Sequence, residues 1–74
     1  GGGLNKVFLD SQILNTGSNL VVHNLNLSEP KSVIVQMVNT ATGEIVIGII
    51  NGQTNNSVSV DVLAPVTVDI TIIG

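Results

Sequence analysis

The segment from Ser32 to Asn51 constrains this chain more than any other. It holds two apolar runs, SVIVQMVN and EIVIGIIN, on either side of the turn signal TATG. Runs this rich in β-branched residues favour strands, and a short loop ending in glycine favours a hairpin. With Thr40–Gly43 as the loop, Asn39 falls opposite Glu44. Side chains alternate across a strand, so one face sets Val38, Gln36 and Ile34 against Ile45, Ile47 and Ile49. The other sets Met37, Val35 and Val33 against Val46, Gly48 and Ile50. Gly43 suits the φ > 0 position that closes such a loop. A ribbon with one wet side alternates apolar with polar. Here only Gln36 and Gly48 interrupt two apolar faces, so both faces need cover.

A chain of 74 residues makes one domain. A domain this small buries only about 60% of the surface its unfolded chain exposes, and small domains usually add disulfides, a metal or oligomerisation. There is no Cys, Trp or Tyr, and Phe8 is the single aromatic. Association between copies is the supplement left. Only 9% of residues are charged, and so apolar a surface is expected to be hidden in an assembly. We therefore expect Val33, Val35, Met37, Val46 and Ile50, or the opposite face of the same hairpin, to pack between subunits. Gln36 is the expected polar point of specificity within that contact.

The same composition excludes several partners and chemistries. Two Lys, no Arg and five acids give a net charge of −3. That leaves no cation cluster for nucleic acid. The apolar runs are far shorter than the roughly 20 residues of a membrane-spanning helix, so no membrane insertion is expected. A hydrophobic content of 43% is too high for a disordered chain.

Elsewhere the chain reads as short strands separated by turn formers. Gly1–Gly3 reads as a flexible lead-in or expression scar, leaving residues 4–74 as one module. Lys6–Leu9 is a first strand, Asn15–Asn19 a loop, Leu20–His23 a second strand, and Asn24–Lys31 a polar connection containing Pro30. Ser57–Val62 and Val66–Ile73 alternate strictly: Val58, Val60 and Val62 against Ser57, Ser59 and Asp61, then Val66, Val68, Ile70 and Ile72 against Thr67, Asp69 and Thr71. Each has one buried and one wet face. If the two strands pair through a three-residue loop at Leu63–Pro65, Val62 meets Val66 and Val60 meets Val68. Otherwise Pro65 marks a corner where the chain crosses to a second sheet. The expected fold is all-β: a small antiparallel β-sandwich of about six short strands, in a homo-oligomer.

No catalytic or metal-binding set stands out, and no cofactor is implied. His23 is the only imidazole. With no His, Cys or carboxylate at ligand spacing around it, it reads as a strand-end histidine whose ring bonds the following turn. Only a threefold axis bringing three copies together would make it a ligand set. Asp61 and Asp69 share an outward face in the direct pairing, but a flat sheet face is not the cleft that paired carboxylates need. The nine asparagines leave one other reading. Asn15, Asn19, Asn51, Asn55 and Asn56 stand in loops that could hydrogen-bond a cell-surface glycan, which would make the chain a monomeric recognition module. The aromatic platform such sites usually add is missing beyond Phe8.

One ordered string is more specific. Val22-His23-Asn24-Leu25-Asn26 is followed by Ser32-Val33-Ile34-Val35-Gln36-Met37 and Thr42-Gly43-Glu44. Then come Asn56-Ser57-Val58-Ser59-Val60, Ala64-Pro65, and a closing Val68-Asp69-Ile70-Thr71-Ile72-Ile73-Gly74. From Asn19 to Gly74 this resembles the small C-terminal β-domain of bacteriophage tail-fibre and related virion proteins. The resemblance implies a non-enzymatic virion component that self-assembles, most often as a trimer. It also implies other virion proteins as neighbours and a role in host attachment. Two places where such domains carry aromatics hold Leu63 and a shortened Pro65–Val68 here. That departure fits a copy kept for trimerisation or capsid decoration.

Overall fold

The structure, a computed structural model, describes residues 6–74. The glycine lead-in at Gly1–Gly3 and the start of the predicted module lie outside the described residues. The chain folds into seven strands: β1 (Val7–Leu14), β2 (Gly17–Val22), β3 (Ile34–Asn39), β4 (Ile45–Val46), β5 (Ile49–Gln53), β6 (Ser57–Val62) and β7 (Val66–Ile73). A single 3-10 turn at Pro30–Ser32 is the only helical element among the described residues. Two antiparallel sheets result, ordered β1-β7-β3-β4 and β2-β6-β5. The class is all-β, as the β-branched composition predicts, and the arrangement is sandwich-like.

The strictly alternating strands become the two central ones. β6 lies between β2 and β5, and β7 between β1 and β3. Their apolar faces meet across the sandwich. Val58, Val60 and Val62 from one sheet and Val68, Ile70 and Ile72 from the other form the core, with Leu14, Val21 and Met37. Burying each such side chain contributes roughly 1.5–3 kcal/mol.

Of the two paths left open at Pro65, the chain takes the corner. Val62 pairs with Gly17 and Val66 with Leu14, not with each other. Two strands that each own one apolar face bury more by facing one another from different sheets than by lying side by side. The direct register is therefore not formed, and its consequence for the acids fails with it. Asp61 lies on the outward side of one sheet, Asp69 on that of the other.

The predicted hairpin forms only at its closed end. Asn39 donates its N–H to Glu44 O at 2.8 Å, Gly43 adopts φ 78°, and Met37 and Val38 pair with Val46 and Ile45, as the four-residue loop requires. The Asn39 carboxamide adds bonds from the N–H groups of Ala41 and Thr42. Beyond Val46 the pairing stops. Gly48 carries the chain across to the second sheet, where β5 pairs with β6. Ile47 and Ile49 therefore never meet Gln36 and Ile34, and the six expected strands become seven.

The first two strands are longer than predicted. β1 runs on to Leu14, in continuous register with β7. The turn-rich segment after it is only a two-residue corner, with β2 beginning at Gly17 (φ 98°). The Asn19 side chain straps that corner: Oδ1 accepts from Asn15 N–H at 2.9 Å, and Nδ2 donates to the carbonyls of Asn15 and Gly17. Asn24 and Asn26 sit at φ 55° and 52°, the left-handed region that asparagine tolerates best after glycine.

Candidate functional site

The hairpin that opened the sequence reading distributes its two faces unequally. Met37 is buried in the core, and Val33, Val35, Val46 and Ile50 pack against it. These residues, the first choice for a subunit contact, cover the chain's own interior, and Gln36 is exposed on the other side. The opposite face is left open. Ile34, Ile45, Ile47 and Ile49 are 61%, 60%, 90% and 68% exposed. Because Ile45, Ile47 and Ile49 alternate along the segment that turns from one sheet to the other, they form one aliphatic ridge on that edge. Beside it, where β3 and the departing chain separate, lies a groove of about 210 Å³ between Gln36, Met37, Ile45, Ile47 and Ile50.

His23 closes rather than opens a site. It is 4% exposed, and its Nδ1 accepts the Leu25 N–H at 3.0 Å, the strand-end role expected for it. The accepting nitrogen carries no proton, so the ring proton sits on Nε2, which is buried and has no hydrogen-bond partner. Such an orphan costs roughly 1–3 kcal/mol. The Phe8 ring lies 6.4 Å away by centroids, and Lys6 Nζ donates to the carbonyls of Leu25 and Asn26 in the same turn. A ring enclosed in this way cannot meet two copies of itself around a threefold axis. Among the described residues no three His, Cys, Asp or Glu stand close enough to hold a metal ion.

Burial pushes the His23 imidazole below its ordinary 6.5. Below pH 6.5 the unfolded chain binds a proton that the folded chain refuses, so folding weakens as pH falls from there toward the lowered value. Protonation of Nδ1 would also break the bond from Leu25. Urea midpoints measured between pH 7.5 and 5.5 should therefore fall for the natural chain. They should stay flat for His23→Gln, which starts lower at pH 7.5. Equal slopes for the two proteins would remove His23 as the cause.

The asparagines proposed for a glycan do not converge. Asn15 and Asn19 lie at the end of the β2-β6-β5 sheet where Gly17 pairs with Val62. Asn55 and Asn56 lie at its other end, beyond the Val22–Ser57 pair. Three of the five spend amide groups inside the chain. The Asn19 amide holds the first corner, and Asn56 Oδ1 accepts from Asn26 N–H at 2.7 Å. Asn51 Nδ2 donates to Ser18 Oγ at 2.9 Å. Sequence reasoning missed these roles because Asx-type straps carry no long-range signal. The asparagines placed shortly before a glycine, at Asn15–Gly17 and Asn39–Gly43, are the nearest hints.

The exposed aliphatic ridge is thus one distinctive surface among the described residues. Comparison of the chain with protein-family models, with curated proteins and with solved structures returns no match.

Proposed function

We propose that this chain is a non-enzymatic structural module of a bacteriophage virion whose work is to hold identical copies together. The observation that carries the reading is the ridge of Ile45, Ile47 and Ile49. Ordinary surfaces scatter single apolar residues; an alternating series on one edge is what an association surface requires. The predicted need for a second cover is half met by the chain's own core, and the remaining half faces outward. The ordered string from Val22 to Gly74 supports the virion setting, and fibre domains of that kind favour three copies.

Multi-angle light scattering at micromolar concentration tests the assembly. The natural chain should be a defined oligomer, and the double substitution Ile45→Lys, Ile47→Lys should lower its mass while the far-ultraviolet β signal is retained. A natural chain running as a 7.6 kDa monomer, or a variant with unchanged mass, would overturn the reading.

A further inference from the structure

We infer that β1 is a two-fold association strand: it pairs antiparallel with β1 of a second copy, about an axis through Ser11, and joins two four-stranded sheets into one of eight. The inference goes beyond the function proposed above, because it uses a different edge and does not depend on the virion setting.

The first ground is the state of the edge. Among the described residues β1 has a neighbouring strand on one side only. Lys6 and Gly74 exchange both backbone hydrogen bonds, at 2.7 and 2.9 Å. Antiparallel ladders alternate, so Phe8, Asp10, Gln12 and Leu14 turn their peptide groups toward β7. Val7, Leu9, Ser11 and Ile13 turn theirs outward. Native sheets usually blunt such an edge with a short strand, a bulge, Pro or Lys. β4 is two residues long and β5 is bulged between Ile50 and Gly52. β1 is eight residues long, unbulged, and contains neither Pro nor Lys. Apart from Ser11, the side chains of that outward set are apolar, with Leu9 at 71% and Ile13 at 80% exposure.

The second ground identifies the occupant. Phe8-Leu9-Asp10-Ser11-Gln12-Ile13-Leu14 is chemically palindromic about Ser11. An isologous contact requires that symmetry, because residue i meets j wherever j meets i. Turned about Ser11, Leu9 lies opposite Ile13, Phe8 opposite Leu14, and Asp10 opposite Gln12. The Leu9–Ile13 and Ser11–Ser11 pairs use the outward peptide groups and form about six new backbone bonds. Asp10 and Gln12 fall in the other class of pair, where side chains approach closest. In the single chain Gln12 Nε2 already donates to Asp10 Oδ2 at 2.8 Å, so the same donor and acceptor are poised to bond across the axis.

Competing registers are worse. An axis at Asp10 sets two carboxylates face to face, which is unfavourable. An axis at Leu9 sets Asp10 against Phe8. The matching edge of the other sheet, β2, lacks the symmetry: turned about Leu20, it sets Ser18 against Val22 and Asn19 against Val21.

The test exploits the absence of natural cysteine. Ser11→Cys places two thiols on the axis, with Cα atoms about 5.5 Å apart, inside the roughly 4.4–6.8 Å range of disulfides. Under mild oxidation Ser11→Cys should form disulfide-linked dimer at least tenfold faster than Leu9→Cys or Ile13→Cys. In parallel, Ser11→Pro removes an outward N–H, which an edge strand tolerates, together with the exposed hydroxyl that donates to Asp69 Oδ1 at 2.7 Å, and should weaken dimerisation at least tenfold in light scattering. Cross-linking that favours Leu9→Cys, or that is absent, overturns the inference. So does a natural chain that stays monomeric, or a folded Ser11→Pro variant of unchanged mass. Should Ser11→Pro fail to fold, the cysteine series still decides. Repeating the cross-link in the Ile45→Lys, Ile47→Lys background separates the two surfaces, since rapid linkage there must persist even if the isoleucine ridge proves inert.

Discussion

Replacing Ile70 with alanine should cost about 2–5 kcal/mol, among the largest losses expected from a single truncation in this molecule. Ile70 is 1% exposed at the middle of β7, a strand with neighbours on both sides. It pairs with Asp10 on β1 and Met37 on β3, and its side chain points at the valine face of β6. A 74-residue domain has a total stability on the order of 4–11 kcal/mol, so this one deletion removes a large share of it. Aliphatic neighbours held in two sheets collapse poorly into the space and leave a cavity. Urea denaturation reads the effect directly. At a slope of about 1 kcal/mol per molar urea, the midpoint should fall by at least 2 M. Ile47→Ala is the control. That side chain is 90% exposed, and surface truncations usually stay within about 0.5 kcal/mol. Comparable losses from the two substitutions would mean that Ile70 is not at the centre of the core.

That contrast also marks how far the sequence could be read. Val58, Val60 and Val62, with Val68, Ile70 and Ile72, announce their buried face because period-two alternation is a local property. The Thr40–Gly43 loop is legible for the same reason, since its chemistry lies within six residues. β1 was half missed. It is an edge strand whose inward face carries Asp10 and Gln12, so it shows no alternation past Leu9. Its length comes from β7, which supplies a continuous partner up to Val66. The corner at Asn15–Thr16 is tighter than the run of turn formers from Asn15 to Asn19 predicts, because such residues do not say how tight a corner is; the Asn19 amide decides that by bonding Asn15 and Gly17. As for the surface, the sequence showed that the hairpin has two apolar faces. Which one stays outside depends on where the chain leaves the hairpin, and that is set by a single glycine.

Gly48 is that residue, and its substitution gives the second large effect, with a sign that separates two explanations. A Cβ built on Gly48 would lie 2.9 Å from Met37 Cε, 3.0 Å from Val60 Cγ1 and 3.1 Å from the Asp61 carbonyl oxygen. The methionine end can move. Val60 is fully buried, and Asp61 is held between β2 and β5, so neither yields without moving β6. The backbone at Gly48 is not in the left-handed region, unlike Gly43 at φ 78°. On conformational grounds alone, Gly48→Ala would therefore stabilise by about 0.4–1 kcal/mol through the unfolded chain. Packing argues the reverse: overfilling a tight core site costs about 1–3 kcal/mol, and Gly48→Val should cost more. We expect both variants to unfold at lower urea, Val before Ala. Met37→Ala in the Gly48→Ala background should recover only part of the loss, because the contacts with Val60 and the Asp61 carbonyl remain. A stabilised Gly48→Ala would show that the crossing is roomy. The passage of the chain from the hairpin to the second sheet would then need another cause than the close approach of its backbone to Met37 and Val60.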